Sequence, residues 1–269
     1  MKNFDDVVSN INRSRINVPV DHNPLVKKVL EQVNSNEEIK TLWHCINVNA
    51  IDRLEMTDHG PVHFQIVSNI ALKLTRLLNK HSVQLSVEKD HGLSYEHGEL
   101  VVVLASLFHD LGMSINREGH EEFSLIVASK IIDDVLSFMP IVEKTIVKSE
   151  ALHAIISHRS GGRPYTIEAG IVRVADALDM AEGRSRLTYE TGIVNMHSLS
   201  HAAIDSVDIE EGTEKPIKIQ INMNNSSGLF QVDELLNKKV RGSGLEKYIS
   251  VKALISRDTE ESLLKEFIF

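Results

Sequence analysis

The sequence predicts a mainly α-helical protein that ends in a small α+β unit. Apolar residues recur at helical spacing, in one segment after another, over the first two-thirds of the chain. Beyond about residue 201 the spacing changes, and apolar and polar residues alternate as they do in strands. With 42% hydrophobic residues among 269, the chain has enough apolar material to bury a core. We therefore predict a helical domain over residues 1–200 and an α+β domain over residues 201–269.

The helices are predicted from apolar stripes and from signals at their ends. Asn23 followed by Pro24 is typical of a helix cap with proline at the first helical position, and Gly112 is typical of a helix stop. Residues 80–98 are polar and contain two glycines, so we expect a loop or an insertion there. The predicted helices cover residues 24–33, 36–54, 61–78, 99–110, 119–138, 141–157 and 166–182.

The C-terminal unit is predicted to contain strands. Residues 216–223 place apolar side chains on one face and Lys218, Gln220 and Asn222 on the other, which predicts a half-buried strand. Residues 248–255 alternate in the same way, and residues 204–209 are a candidate third strand. A short helix is predicted over residues 232–240, and its basic residues 238–241 are expected to form a solvated face.

Composition excludes several classes of protein. The longest uncharged apolar run covers residues 100–108, far short of the roughly 20 residues that a membrane-spanning helix needs. No secretory signal is evident, and the single cysteine, Cys45, cannot form an internal disulfide, so we expect a cytoplasmic protein. The formal net charge of −9 argues against non-specific binding of nucleic acid, because phosphate contacts need clustered Lys and Arg.

A set of histidines and carboxylates at predicted helix faces and ends points to a metal site. Burying an unpaired carboxylate costs several kcal/mol, so an aspartate within an apolar helix needs a partner. A mixed set of imidazole and carboxylate ligands suits Mn, Fe, Co, Ni or Zn better than Ca, and this set is large enough for two ions. The candidate ligands are His63, His109, Asp110, His120, His158 and Asp176.

Other interpretations of these residues stay open. His63 could be a core histidine, whereas His120 and His158 could serve as helix-terminal residues. His153 lies five residues before His158 and is a candidate to support a ligand from behind. His59 is expected to shape the start of its helix. The histidines expected to be solvated are His81, His91, His97, His197 and His201.

The order of these motifs resembles the HD superfamily of metal-dependent phosphohydrolases, over roughly residues 55–190. The resemblance implies an HD-type helical bundle in which His63, His109, Asp110 and Asp176 are the core ligands. It also implies that His120 and His158 match the additional histidines of the two-metal subgroup.

Residues 158–162, 174–176 and 182–184 are similar to bacterial HD hydrolases of dinucleoside polyphosphates. The cyclic-dinucleotide phosphodiesterase branch is also similar. Its tandem histidines read Ser157-His158 here, and its Gly-Tyr-Pro motif reads Arg163-Pro-Tyr165.

The resemblance implies hydrolysis of a phosphoester or phosphoanhydride bond by water that the metal activates. Asp110 would orient that water, and Arg159 or Arg184 would bind phosphate oxygens, with Arg163 and Arg186 nearby. Alternatively, each arginine could form an ordinary salt bridge at the surface. We expect a small phosphorylated substrate such as a nucleotide, and the C-terminal unit could serve specificity or a homo-oligomer contact. An RNA or DNA phosphodiesterase and a non-catalytic regulatory module that keeps the metal are the alternatives.

Overall fold

The computed structural model describes residues 3–159, 161–180, 203–255 and 266–268. The predicted fold class is confirmed, because a helical bundle is followed by a small sheet. The helices of the bundle are α1 (Phe4–Arg13), α2 (Pro24–Ser35), α3 (Glu37–Asn47), α4 (Pro61–Lys80), α5 (Ser86–His91), α6 (Tyr95–Phe108), α7 (His120–Val135), α8 (Ile141–Ser157) and α9 (Ile167–Leu178). A π-helical turn (Val48–Arg53) continues α3, and a 3-10 turn (Leu111–Ser114) lies between α6 and α7.

Helix α6 forms the centre of the bundle. Its residues from Gly98 to Phe108 are all buried, and they are apolar on every face except for Glu99 and Ser106. A helix that is apolar all round has to be surrounded by other elements, and α6 indeed packs against α2, α4, α8 and α9. The end of α6 is therefore deeply buried, and the residues that follow it enter the interior of the bundle.

The prediction of a loop or an insertion over residues 80–98 is wrong. This region contains α5 and the first turn of α6. The buried carboxylate of Glu168 accepts hydrogen bonds from the backbone amides of Ser86 and Val87, which ties α5 to the core. Gly98 lies within α6. A larger residue would not fit at this position, because a Cβ would come within 2.2 Å of Leu85 Cδ1. The glycine thus permits close packing of two elements and does not mark a loop.

The C-terminal unit is a four-stranded sheet with the order β1-β2-β3-β4. Its strands are β1 (Ile204–Glu211), β2 (Ile217–Met223), β3 (Ile249–Ile255) and β4 (Glu266–Ile268). The first three strands were predicted, and the predicted alternation of buried and partly exposed residues is confirmed in β2 and β3. The β2–β3 pair is parallel, whereas the β1–β2 and β3–β4 pairs are antiparallel. A parallel pair needs a crossover, and helix α10 (Gln231–Asn237 in π form, then Lys238–Val240) supplies it.

The C-terminal unit packs directly on the helical bundle. Helix α10 contacts α9, and α4 contacts β1 and β2. The predicted boundary at residue 200 lies in the segment 181–202, outside the described residues, and it stays a prediction. The predicted end of a helix at residue 182 is too late, since α9 ends at Leu178. None of the helices in the described part of the chain combines the length and apolar character that a bilayer span requires.

Candidate metal centre

The structure brings all six predicted ligands to one place inside the bundle. The six residues come from five different helix ends or connections, and all four imidazoles are buried. His63 lies in the first turn of α4, His109 and Asp110 directly follow α6, His120 begins α7, His158 directly follows α8, and Asp176 lies in the last turn of α9. Because the helices are packed against one another, these side chains are held on rigid supports.

Three of these residues form the first half of the cluster. The Nε2 atoms of His63 and His109 are 3.1 Å apart. Asp176 Oδ1 lies 3.4 Å from His63 Nε2 and 3.8 Å from His109 Nε2. One ligand atom from each residue therefore faces a common point, as a bound cation requires.

Asp110 lies between this group and a second pair of histidines. Its Oδ2 is 3.9 Å from His63 Nε2 and 3.7 Å from His109 Nε2. Its other oxygen, Oδ1, is 3.0 Å from His120 Nε2 and 3.5 Å from His158 Nε2. Asp110 Oδ1 is buried and accepts no hydrogen bond of good geometry from the residues that the structure describes. A buried carboxylate oxygen in this state is satisfied by a cation, so the site fits a metal.

Hydrogen bonds at Nδ1, on the side of each ring that points away from the cluster, orient the histidines. In three of them Nδ1 faces an oxygen, which can only accept a hydrogen bond, so Nδ1 carries the proton and Nε2 is left with its lone pair. These contacts are His63 to Asp179 Oδ2 at 2.6 Å, His109 to the Ser106 carbonyl at 3.0 Å and His158 to the Ile155 carbonyl at 2.6 Å. Nδ1 of His120 lies 2.9 Å from the carbonyl of Arg117 and 3.0 Å from its guanidinium.

Electrostatics keep His109 and Asp110 in the state that a metal needs. Burial lowers the pKa of His109 to about 3, so this imidazole is neutral near pH 7. Burial alone would raise the pKa of Asp110, but the imidazoles of His109, His120 and His158 hold it well below its usual range. Neutral imidazoles and ionised carboxylates are the forms that bind divalent ions.

Sequence reasoning missed three residues of this region. Asp179 lies in a segment that was predicted as plain helix, and only its distance from His63 shows its role. Lys239 was expected on a solvated face, which is wrong, because its Nζ contacts Asp176 Oδ2. Glu121 is buried beside His120, with its Oε2 3.4 Å from Nδ1. No periodicity in the sequence distinguishes these residues from ordinary surface charges.

The arginines predicted to bind phosphate differ in their position relative to the cluster. Arg159 is about half exposed at the edge of the cluster, and its Nη1 is 2.9 Å from Glu121 Oε1. Arg163 is exposed on the loop between α8 and α9. Arg184 and Arg186 lie outside the described residues, as do His197 and His201.

His153 is not part of the cluster. Its Nε2 accepts a hydrogen bond from the Tyr165 amide at 2.9 Å, and its ring stacks on that of Tyr165 with 5.0 Å between centroids. It therefore holds the loop between α8 and α9, which begins at His158. Of the histidines expected to be solvated, His97 is largely buried beside Glu143, whereas His81 and His91 are about one-third exposed and also face acidic residues.

Comparisons with known proteins agree with this geometry. The HD domain profile matches residues 62–181, which include all six candidate ligands. Uncharacterized protein MJ1020 of Methanocaldococcus jannaschii is 36% identical over 233 residues, which cover 86% of this chain and 90% of that protein. The chain belongs to the HD-domain family. HD domains bind divalent metals, and the family supports a metal-dependent phosphohydrolase or nuclease-like function.

More distant similarity leads to proteins named ribonuclease Y. That of Thermoanaerobacter pseudethanolicus is 30% identical over 174 residues, or 62% of this HD-domain chain and 31% of the relative. That of Alkaliphilus metalliredigens is 27% identical over 244 residues, or 87% of this chain and 46% of the relative. The chain thus spans about a third to a half of these ribonuclease Y sequences. No solved structure matches the chain significantly.

Proposed function

We propose that this HD-domain protein is a phosphohydrolase with two divalent transition-metal ions, acting on a phosphoester or phosphoanhydride bond of a nucleotide or small phosphate ester. The observation that supports this proposal best is that the two oxygens of the Asp110 carboxylate face different pairs of histidines. One oxygen faces the His63 and His109 imidazoles, and the other faces His120 and His158. A carboxylate with this arrangement can bridge two cations, whereas a single-ion site would need only one side of it.

The residues divide into two proposed ligand groups. His63, His109 and Asp176, with Asp110 Oδ2, would hold one ion, and His120 and His158, with Asp110 Oδ1, would hold the other. Imidazole with carboxylate ligation favours Mn, Fe, Co, Ni or Zn. Bound ions of this kind lower the pKa of water and offset the negative charge of phosphoryl oxygens.

The chain itself would supply orientation and charge. Asp179 and two backbone carbonyls keep Nδ1 of His63, His109 and His158 protonated, so that Nε2 of each of these three imidazoles stays directed inward. Asp110 would orient the attacking water through its carboxylate. Arg159 lies at the exposed edge, where its guanidinium could leave Glu121 and bind a phosphate oxygen, and Arg184 is proposed as a second phosphate-binding residue.

Cleavage of RNA is the second candidate, and the similarity to ribonuclease Y proteins favours it. Against it stand the net charge of −9 and the polar face of β2, where Lys218, Gln220 and Asn222 offer no aromatic ring for base stacking. The cytoplasmic location and a homo-oligomer contact remain predictions.

The test is a substrate screen on the purified full chain. With Mn²⁺ present, we expect hydrolysis of bis-p-nitrophenyl phosphate or of a member of a nucleotide panel, and loss of that activity in EDTA. Asp110→Ala should abolish it, whereas the exposed variant Asp134→Ala should retain it. Cleavage of an RNA oligonucleotide without any small-ester activity would favour the second candidate. Metal binding without hydrolysis of any substrate would favour a regulatory module and overturn the proposal.

A further inference from the structure

Lys239 of the C-terminal unit reaches the candidate metal centre in the helical bundle. Its Nζ contacts Asp176 Oδ2, while the other oxygen of the same carboxylate, Oδ1, faces the imidazoles of His63 and His109. The two oxygens of Asp176 therefore have different partners. The ammonium group binds the oxygen that points away from the cluster.

This contact differs from an ordinary surface salt bridge. The side chains of Lys239 and Asp176 are only 14% and 16% exposed. The neighbouring Lys238 shows the ordinary case, because its side chain is 57% exposed and pairs with Glu234 one helical turn away. Exposed pairs contribute little to structure, whereas a buried ammonium that binds a carboxylate fixes its orientation.

Helix α9 holds Lys239 at a second point. Arg173, three residues before Asp176 on α9, is buried and donates from Nε to the Lys239 carbonyl at 3.0 Å. Its Nη1 also donates to the carbonyls of Arg159 at 2.6 Å and Gly162 at 2.7 Å, in the loop that begins at His158. One guanidinium thus joins α10, α9 and the loop after α8.

The packing between α9 and the C-terminal unit leaves little freedom for Lys239 to move away. A Cβ on Gly170 of α9 would come within 2.3 Å of the Ser243 carbonyl, just after α10. Residues this close at the backbone fix the distance between the two elements. The position of Lys239 is therefore set by backbone packing as well as by its own ion pair.

We propose that Lys239 is a positioning residue of the metal centre. It occupies Asp176 Oδ2, so that Oδ1 alone is directed at the ion held by His63 and His109. By this contact the C-terminal unit becomes part of the metal site of the helical domain. The inference rests on the proposed function, since it assumes that Asp176 is a metal ligand.

The experiment measures metal affinity instead of turnover. The full-length chain and its variants are stripped with chelator and titrated with Co²⁺, following heat by calorimetry and the visible absorption of bound cobalt. We expect Lys239→Met to bind Co²⁺ about 10- to 100-fold more weakly than the wild-type chain, as is typical when a partner of a ligand is removed. Lys238→Met is the matched control and should bind like the wild-type chain. Lys239→Arg, which keeps a cation near Asp176, should restore most of the affinity.

The outcomes separate this inference from the proposed function. A wild-type chain that binds no Co²⁺ overturns the proposed metal site itself. A wild-type chain that binds, with Lys239→Met equal to Lys238→Met in affinity and in cobalt spectrum, overturns only the role of Lys239. If circular dichroism shows that Lys239→Met is unfolded, Lys239→Gln replaces it. Weaker binding by Lys239→Gln than by Lys239→Arg then supports the inference, and equal binding by the two overturns it.

Discussion

His63 Nδ1 lies 2.6 Å from the carboxylate oxygen Oδ2 of Asp179, and this contact joins the first turn of α4 to the residue that follows α9. The two residues are 116 positions apart in the chain, and both are buried. Such a carboxylate behind a ligating imidazole fixes the tautomer and direction of the ring. Asp179 therefore belongs to the site as much as the predicted ligands do, although it does not face the cluster directly.

We predict that Asp179→Ala weakens binding of Mn²⁺ by about 10- to 100-fold, because His63 loses the acceptor that directs its Nε2 inward. Isothermal titration of the metal-stripped chain measures the change. Asp134→Ala, which removes an exposed aspartate of α7, is the control and should bind like the wild-type chain. Unchanged affinity in Asp179→Ala would show that the packing of α4 orients His63 without the carboxylate.

The histidines and Asp110 could be identified from the sequence because each stands where an apolar helix begins or ends. A polar residue at the buried end of such a helix has few explanations besides a ligand or a cap. Asp179, Glu121 and Lys239 could not be identified in this way. Glu121 and Lys239 lie in polar stretches, and Asp179 lies in a segment that is predicted as plain helix. Only the packing of distant elements brings these residues to the cluster.

The position of Asp110 between two pairs of histidines predicts how the chain responds to metal. A ligand that binds only the folded state stabilises it by about 2.7 kcal/mol at a concentration 100 times its Kd. We therefore expect Mn²⁺ to raise the melting temperature of the wild-type chain and to have little effect on Asp110→Asn, which has the same shape without the charge. Thermal unfolding followed by circular dichroism, with EDTA as reference, makes the comparison. An equal rise in both proteins would exclude Asp110 as a ligand.

A third prediction concerns the turn after Asp110. A Cβ on Gly112 would come within 2.0 Å of the His120 carbonyl and 2.6 Å of the Ser124 amide, and backbone atoms cannot move aside as a side chain does. Gly112→Ala should destabilise the fold by about 2–3 kcal/mol and displace the start of α7, which carries His120. Urea unfolding and metal titration test both effects.

Gly161→Ala provides the control for the Gly112 variant. A Cβ at Gly161 meets nothing within 4 Å, so this substitution should change the free energy of unfolding by less than about 0.5 kcal/mol. If both alanine variants unfold at the same urea concentration as the wild-type chain, the contact between the turn and α7 is looser than the structure shows.

Glycines also explain where sequence reasoning about the fold went wrong. Gly98 and Gly112 both permit a close approach between elements, and neither ends a helix: Gly98 lies within α6, and Gly112 lies within the 3-10 turn Leu111–Ser114. The predicted helix stop at Gly112 is therefore wrong, because α6 already ends at Phe108. The sequence shows the residue type but not the neighbour that requires it. Helix α5 was missed for a related reason, because Glu168, which binds its first amides, comes from α9, about 80 residues away.

The last prediction concerns stability and pH away from the metal centre. Glu99 of α6 is fully buried, and its carboxylate accepts hydrogen bonds from Arg76 Nε at 3.0 Å and Asn23 Nδ2 at 3.0 Å. His22 Nε2 also lies 3.0 Å from Oε2. Burial alone would raise the pKa of Glu99, but the hydrogen bonds from Asn23 and Arg76 hold it below its ordinary value. The charged form is therefore favoured in the folded chain.

Glu99→Gln should lower the free energy of unfolding by about 3 kcal/mol near pH 7, because it removes the charge that Arg76 binds in the interior. A carboxylate with a lowered pKa contributes its stability above the pKa of the unfolded chain, about 4.3, and loses it as pH falls through the folded value. The difference between wild type and variant should therefore be constant from pH 7 to about pH 5 and shrink at lower pH. Urea unfolding at pH 7, 5 and 4 measures it. The variant Glu88→Gln, at the partly exposed start of α5, is the control. A Glu99→Gln difference that is close to zero at pH 7 would mean that the Glu99 charge contributes nothing to stability.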